Sequence, residues 1–180
     1  MQLIETGIQG LLILQPKVFK DPRGYFLESY NEAVMASLGI DQAFVQDNQS
    51  MSNKGTIRGL HFQKPPHAQG KLVRVIKGAV IDVVVDIRKQ SATYGKTFSI
   101  ELSEQNFTQF YIPPGFAHGF EVLEDETIFV YKCTEVYHPE SEGGLPWNDA
   151  DLNIQWRSQT PILSEKDQQY QAFSVFESPF

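Results

Sequence analysis

The middle of the chain alternates with a period of two. In Ala79-Val-Ile-Asp-Val-Val-Val-Asp-Ile87, Val80, Asp82, Val84 and Asp86 share one side, and Ile81, Val83, Val85 and Ile87 share the other. That spacing is the mark of a β-strand. Lys77-Gly78 supplies a turn linking it to a strand over residues 72–76. The same reading predicts strands over residues 10–19, 25–30, 55–63, 96–102, 108–112, 119–123 and 127–136. Turn residues separate many of them at short intervals, which points to an antiparallel sandwich or barrel. Helix signals are short. Residues 31–39 open on the capping residue Asn31 and close on Gly39. Ser164-Glu-Lys-Asp167 has the form of a helix start, and residues 149–154 suit one helical turn. The pattern predicts one β-domain over residues 1–180, with a small helical C-terminus and short helices packed outside the strands.

Composition narrows this picture. A chain of 180 residues with 41% hydrophobic residues is large enough to bury roughly 70% of its unfolded surface, so it needs no disulfide, and the single Cys133 could not form an internal one. The longest apolar run, Leu11-Leu-Ile-Leu14, is too short to span a bilayer, so no membrane is expected as a partner. Met1 is not followed by a basic and then an apolar region, so no signal peptide is expected and a cytoplasmic location is. A formal net charge of −7 argues against nucleic acid as a partner, because such domains carry a basic face. A small anionic ligand is still compatible, since a few converging Arg and Lys side chains make a local positive site.

Four segments carry candidate chemistry. In Thr56-Ile-Arg-Gly-Leu-His-Phe-Gln63, His61 and Gln63 point to one face of a strand and Leu60 and Phe62 to the other. Such a histidine is either a satisfied structural group, a general base or a metal ligand. In His67-Ala-Gln-Gly-Lys-Leu-Val-Arg74, Lys71 and Arg74 fall on opposite faces. An inward lysine needs a negative partner, and the alternative is that it snorkels to the rim. In Tyr111-Ile-Pro-Pro-Gly-Phe-Ala-His-Gly-Phe120 a turn precedes Phe116, His118 and Phe120 on one side. In Thr127-Ile-Phe-Val-Tyr-Lys-Cys-Thr134, Phe129, Tyr131 and Cys133 share a face, and an inward Tyr131 reads either as core or as an acid.

Metal is not expected. No His-x-His pair, cysteine cluster or His-Glu-x-x-His run occurs, and His61 and His67 lie six apart across Pro65-Pro66. Cys133 sits in an apolar strand without an activating base. No Gly-x-Gly-x-x-Gly or P-loop is present. Proton chemistry without a cofactor remains, with a histidine base, a tyrosine acid and a lysine that polarises a carbonyl.

The segments Arg58-Gly-Leu-His-Phe-Gln63, Pro65-Pro-His-Ala-Gln-Gly-Lys-Leu-Val-Arg74, Ile112-Pro-Pro-Gly-Phe-Ala-His-Gly-Phe120 and Tyr131-Lys-Cys-Thr134 together resemble the dTDP-4-dehydrorhamnose 3,5-epimerase family. Asp21-Pro-Arg-Gly-Tyr-Phe-Leu-Glu28 and Ser164-Glu-Lys-Asp167 match it as well, so the motifs run in order over residues 10–168. The resemblance implies an all-β, cupin-type jelly-roll barrel, a homodimer and no metal or other cofactor. It implies the substrate dTDP-4-dehydro-6-deoxy-D-glucose, a dTDP-4-keto-6-deoxy sugar, and the product dTDP-4-dehydro-β-L-rhamnose, the third step of dTDP-L-rhamnose synthesis for cell-envelope polysaccharides.

By motif, His61 corresponds to the family's base, Tyr131 to its acid, Asp167 to the carboxylate behind the histidine and Lys71 to the lysine near the 4-keto oxygen. Arg23, Glu28, Gln46, Asp47, Asn48, Arg58, His118, Glu142 and Lys166 fall on positions that hold substrate, and Tyr137 on an aromatic that stacks on thymine. The resemblance also implies an exchanged N-terminal segment, through which Arg23 and Glu28 serve the neighbour's site. Lys166 stands where some relatives carry Arg. Three rivals stay open on sequence alone. One is an epimerase inverting only C3 or C5, or a ketoisomerase, of the same fold. The others are a non-catalytic sugar-nucleotide-binding cupin and a metal-dependent cupin oxygenase.

Overall fold

The computed structural model describes residues 1–180. Two antiparallel sheets face one another. The first is built from β1 (Gln2–Glu5), β2 (Leu12–Gln15), β5 (Gln46–Ser52), β7 (Lys71–Lys77), β10 (Gln109–Ile112) and β12 (Thr127–Cys133), in the order β1-β2-β10-β7-β12-β5. The second holds β6 (Ile57–Gln63), β8 (Ala79–Asp86), β9 (Thr97–Ser103), β11 (Phe116–Val122) and β13 (Glu142–Gly144), in the order β13-β6-β11-β8-β9. β3 (Val18–Asp21) and β4 (Gly24–Leu27) form a separate hairpin. The one α-helix, α1 (Glu32–Ser37), starts where the Asn31 side chain accepts the Val34 N–H at 3.2 Å.

Alternation along the strands decides what each face buries. Val73 and Val75 of β7, Val80 and Val84 of β8, Phe110 and Ile112 of β10, Phe116 and Phe120 of β11 and Phe129 of β12 meet between the sheets. The opposite faces are covered too. Leu60, Phe62, Val83, Val85 and Ala117 lie under Trp156, Phe173, Phe176 and Phe180 of the C-terminal segment. Leu14, Leu72 and Tyr111 lie under Met35 and Ile40 around α1. Burial of β8 on both faces explains why its sequence is nearly continuous in valine. At Gly78 (φ +77°) the chain crosses from one sheet to the other; a side chain there would drive into Thr127.

Several sequence expectations are corrected. The strand expected over residues 10–19 is two strands separated by Pro16-Lys17, and the one expected over 25–30 ends at Leu27. Phe116–Val122 starts three residues before the expected strand, directly after the Pro-Pro-Gly turn. Residues 149–154, by contrast, do make the single helical turn expected, closed by one Asn153 N–H to Asp149 O bond, and extend no further. The C-terminus is less helical than expected. Its regular structure is two short 3-10 turns, Lys166–Gln168 and Phe173–Val175, in an otherwise irregular segment. No helix is long and apolar enough to cross a membrane.

Candidate active site

A cleft of about 690 Å³ opens between the two sheets. His61, Arg58 and His118 enter it from one sheet, and Lys71, Asn48 and Tyr131 from the facing sheet, with Lys166 and Asp167 closing one side. A neighbouring pocket of about 240 Å³ shares Asn48, His61, Lys71 and Tyr131 and adds Gln46, Gln63, Gln69, Tyr137 and Glu142. The two adjoin at the histidine and the tyrosine, which line both.

A local irregularity aims the β6 residues. The β6–β11 register shifts between His118 and Phe120. Gly59, at φ +128°, lies so close that a Cβ would stand 2.5 Å from Gly119 Cα. Only glycine permits that approach, and it brings Arg58 and His61 to the cleft on either side of the bulge. Arg58 is steadied there by Nε donating to Ser52 Oγ at 3.0 Å.

His61 Nε2 lies 2.5 Å from Asp167 Oδ1, which is 3% exposed. The contact leaves Nδ1 as the ring nitrogen able to take a proton. Burial alone would raise the Asp167 carboxyl, but the hydrogen bond and charge of His61 outweigh it and hold the carboxyl below its ordinary value. The Asp167 N–H donates to Ser164 Oγ at 3.2 Å, which fixes the turn independently of the carboxylate.

On the facing sheet the Lys71 ammonium lies 5.9 Å from the centre of the Tyr131 ring. Burial pushes Lys71 down, against the pull of Cys133, Asp82 and Glu142. Burial likewise pushes the Tyr131 phenol up, so it stays protonated through neutral pH. Behind them, His118 Nε2 sits 2.8 and 3.0 Å from the two oxygens of Asp82, which is fully buried. Burial lowers His118 and raises Asp82.

At the cavity mouth the Tyr137 hydroxyl donates to Glu142 Oε2 at 2.5 Å, and Lys166 pairs with the same oxygen. Burial would raise Glu142, but Lys166 and Tyr137 together hold it low. Gln46 Oε1 accepts the Tyr137 N–H at 2.9 Å, and Gln46 Nε2 donates to Asn48 Oδ1 at 3.1 Å. Tyr137 is 52% exposed and lines the smaller pocket.

Three of the expected positions lie elsewhere. Asp47 points to the outer face of β5, where it pairs with Lys132 Nζ at 2.9 and 3.0 Å. It sits between Gln46 and Asn48, so strict alternation turns it away from the cavity. Arg23 stands at the tip of the β3–β4 hairpin, its side chain 90% exposed and paired with Asp21 at 2.5 Å. Glu28 accepts from Asn31 Nδ2 at 3.2 Å beside α1. Neither of these two lines this chain's own cavity. Residues that sequence reasoning did not single out include Asp82, the floor beneath His118, and Ser52, the support of Arg58. Asp82 had a signal, a carboxylate in the same alternating row as Val80 and Val84.

A jelly roll with an imidazole–carboxylate pair on one sheet and a phenol beside a buried ammonium on the other defines a class of protein: a β-barrel with a proton-transfer site between its sheets. The family model for dTDP-4-dehydrorhamnose 3,5-epimerase matches residues 5–174, and the chain belongs to that family. It is 52% identical over 174 residues to the dTDP-4-dehydrorhamnose 3,5-epimerase of Shigella flexneri, covering 96% of each chain. Among solved structures it resembles the dTDP-6-deoxy-D-glucose-3,5-epimerase of Legionella pneumophila in complex with dTDP-4-keto-L-rhamnose. The TM-score there is 0.94 at 46% identity, with coverage of 98% of this chain and 94% of that one. The dTDP-4-dehydrorhamnose 3,5-epimerase of Bacillus anthracis with TDP and PPi bound superposes with a TM-score of 0.93 at 47% identity, covering 95% of this chain and 98% of that one.

Proposed function

We propose that the protein epimerises dTDP-4-dehydro-6-deoxy-D-glucose at C3 and C5, giving dTDP-4-dehydro-β-L-rhamnose, the third step of dTDP-L-rhamnose synthesis. The observation that carries this reading is the placing of His61, backed by Asp167, and Tyr131, beside Lys71, on facing walls of one cavity. Inversion needs a base on one side of the sugar and an acid on the other, and two facing sheets supply both.

The protons at C3 and C5 flank the C4 carbonyl, so removing either gives an enolate with its charge largely on O4. His61 takes the proton through Nδ1, and the Asp167 carboxylate stabilises the imidazolium that forms. The Lys71 ammonium stabilises the charge at O4, where low local polarity strengthens the interaction. Tyr131 returns a proton to the opposite face of the same carbon. The imidazolium then loses its proton to solvent and the phenolate regains one, so the site resets with no net gain or loss. A second round at the other carbon completes the isomerisation.

Arg58, Lys166 and the exposed Tyr137 suit a thymidine diphosphate, since guanidinium groups match phosphate oxygens and an aromatic ring offers a flat face for thymine. Arg23 and Glu28 act in the neighbouring subunit's site of a homodimer. The exposed Phe19, Tyr25 and Phe26 on the hairpin, at 52%, 57% and 68%, are the apolar surface that such an exchange would cover.

The test is proton NMR of the 4-keto sugar nucleotide with the protein in heavy water, followed by reductive trapping of the product. Deuterium at both C3 and C5 together with trapped L-rhamnose is expected. Label at one carbon would reduce the activity to a single centre, and no label would leave a binding protein.

A further inference from the structure

The histidines that the sequence left unconnected, His67 and His138, come together outside the catalytic cavity. Their side chains and that of Glu135 bring one ligand atom each to within 4.8 Å of one another. The two imidazoles stack at 3.6 Å between centroids with their planes 12° apart. His67 lies in the loop between β6 and β7, while Glu135 and His138 lie in the segment after β12. The six-residue gap between His61 and His67 therefore gave no hint of the cluster, because its partners arrive from another part of the chain.

The backbone under all three residues is fixed by two glutamines. The buried Gln63 donates through Nε2 to His67 O at 2.7 Å and to Val136 O at 3.1 Å, and its Oε1 accepts the His138 N–H at 2.7 Å. Gln69 Nε2 donates to Glu135 O at 2.7 Å. The side chains are oriented as well. His138 Nδ1 lies 3.0 Å from Glu140 Oε1, which leaves its Nε2 for another partner. Glu135 spends Oε1 on the Val136 N–H at 2.8 Å and keeps Oε2 free. A histidine whose second nitrogen is held by a carboxylate is the arrangement that fixes tautomer and raises basicity in metal sites.

We propose that His67, Glu135 and His138 form a binding site for a divalent transition-metal cation of the zinc type, with Glu140 as the orienting carboxylate behind His138. Two imidazoles and one carboxylate are a ligand set that zinc accepts, with a fourth position left to water. Ligands about 2.0–2.1 Å from a tetrahedral ion stand about 3.4 Å from one another. Rings stacked nearly parallel at 3.6 Å send their in-plane nitrogen lone pairs alongside one another, so binding requires the imidazoles to turn well out of the stack until those lone pairs converge on the ion. The ion would tie the loop bearing His67 to the segment bearing Tyr137, whose N–H is held by Gln46 and whose hydroxyl meets Glu142 at the cavity mouth. It has no part in proton transfer at His61 and Tyr131.

Calorimetric titration of the purified protein with Zn2+, and absorption of the Co2+ form, test the site. One equivalent bound, a tetrahedral Co2+ spectrum and a higher melting temperature with Zn2+ are expected. His67→Gln and His138→Gln should lose that binding, and Glu140→Gln should weaken it about tenfold. In the wild-type protein, Co2+ should shift the ring protons of His67 and His138 and spare those of His118, a readout that needs no variant. Absence of stoichiometric binding would overturn the proposal. So would undiminished binding in both glutamine variants, or Co2+ shifts centred on His61 and His118.

Discussion

Replacing Asp167 by Asn removes one charge from behind the imidazole and little else. The carboxylate is 3% exposed, and its oxygen lies 2.5 Å from His61 Nε2. The turn that carries it is held separately by Ser164, so the variant should keep the local fold. An amide in that place can still accept the ring N–H, but it does not stabilise the imidazolium. General-base catalysis is worth roughly 10²–10⁴ in rate. Losing the charge behind a base that remains in position should cost kcat on the order of 10²–10³, or about 3–4 kcal/mol. KM should change little, since Asp167 lies behind the imidazole on the side away from the proton-accepting Nδ1.

Stability supplies a second readout. The Asp167 carboxyl is held below its ordinary value in the folded protein. Its stabilising effect is therefore complete above the ordinary carboxylate range near about 4 and is lost as pH falls through the folded value. The variant should melt below wild type at pH 7, and the gap should close in acid. Wild-type kcat in the variant would refute the assignment of Asp167. A melting gap that did not vary with pH would mean that packing, not charge, holds the segment.

Tyr131→Phe should retain deuterium exchange into substrate but lose inverted product; normal yields of trapped L-rhamnose would remove Tyr131 as the acid. Lys71→Met should abolish turnover yet raise the melting temperature, because burial penalises the ammonium. For a lysine depressed in this way the penalty is full below its folded value and fades as pH rises toward about 10.4, so the advantage of the variant should shrink in alkali. Gly59→Ala should destabilise by at least about 2 kcal/mol in urea unfolding, since φ is +128° and the added methyl meets the β11 backbone. Asp86→Ala should lose stability at pH 7 and converge with wild type as pH falls from about 4 toward 2. Its carboxyl, which burial alone would raise, is drawn to about 2 by Arg88, Ser91 and Thr93.

Most of the barrel was legible because its core strands alternate or run in valine. β5 was not. Gln46–Ser52 reads Gln-Asp-Asn-Gln-Ser-Met-Ser, with no hydrophobic row to mark a strand. Its inward row of Gln46, Asn48, Ser50 and Ser52 is polar because much of it faces the ligand cavity rather than the core. β13 was hidden for another reason: Glu-Gly-Gly has little β-propensity, and it pairs with β6 because Phe62 and Tyr170 pack where glycine side chains would be. At the site, His61, Lys71 and Tyr131 could be placed on faces by parity. That they share one cavity depends on which strands lie in which sheet, and Asp167 reaches His61 from 106 positions away. No local pattern contains that information.

The charge balance shows the same separation between composition and site. A net charge of −7 would repel a thymidine diphosphate if it were spread evenly. Much of the acidity is instead engaged away from the cavity, as in Asp21 with Arg23, Asp47 with Lys132, Glu126 with Lys77 and Asp86 with Arg88. Inside, each carboxylate is held in a fixed direction, Asp167 by His61, Asp82 by His118 and Glu142 by Lys166 and Tyr137, while Arg58 and Lys71 make no ion pair. Fixing each cavity carboxylate on its partner turns it toward a cation or an imidazole, so local placement of Arg58 rather than net charge decides how an acidic protein meets an anionic ligand.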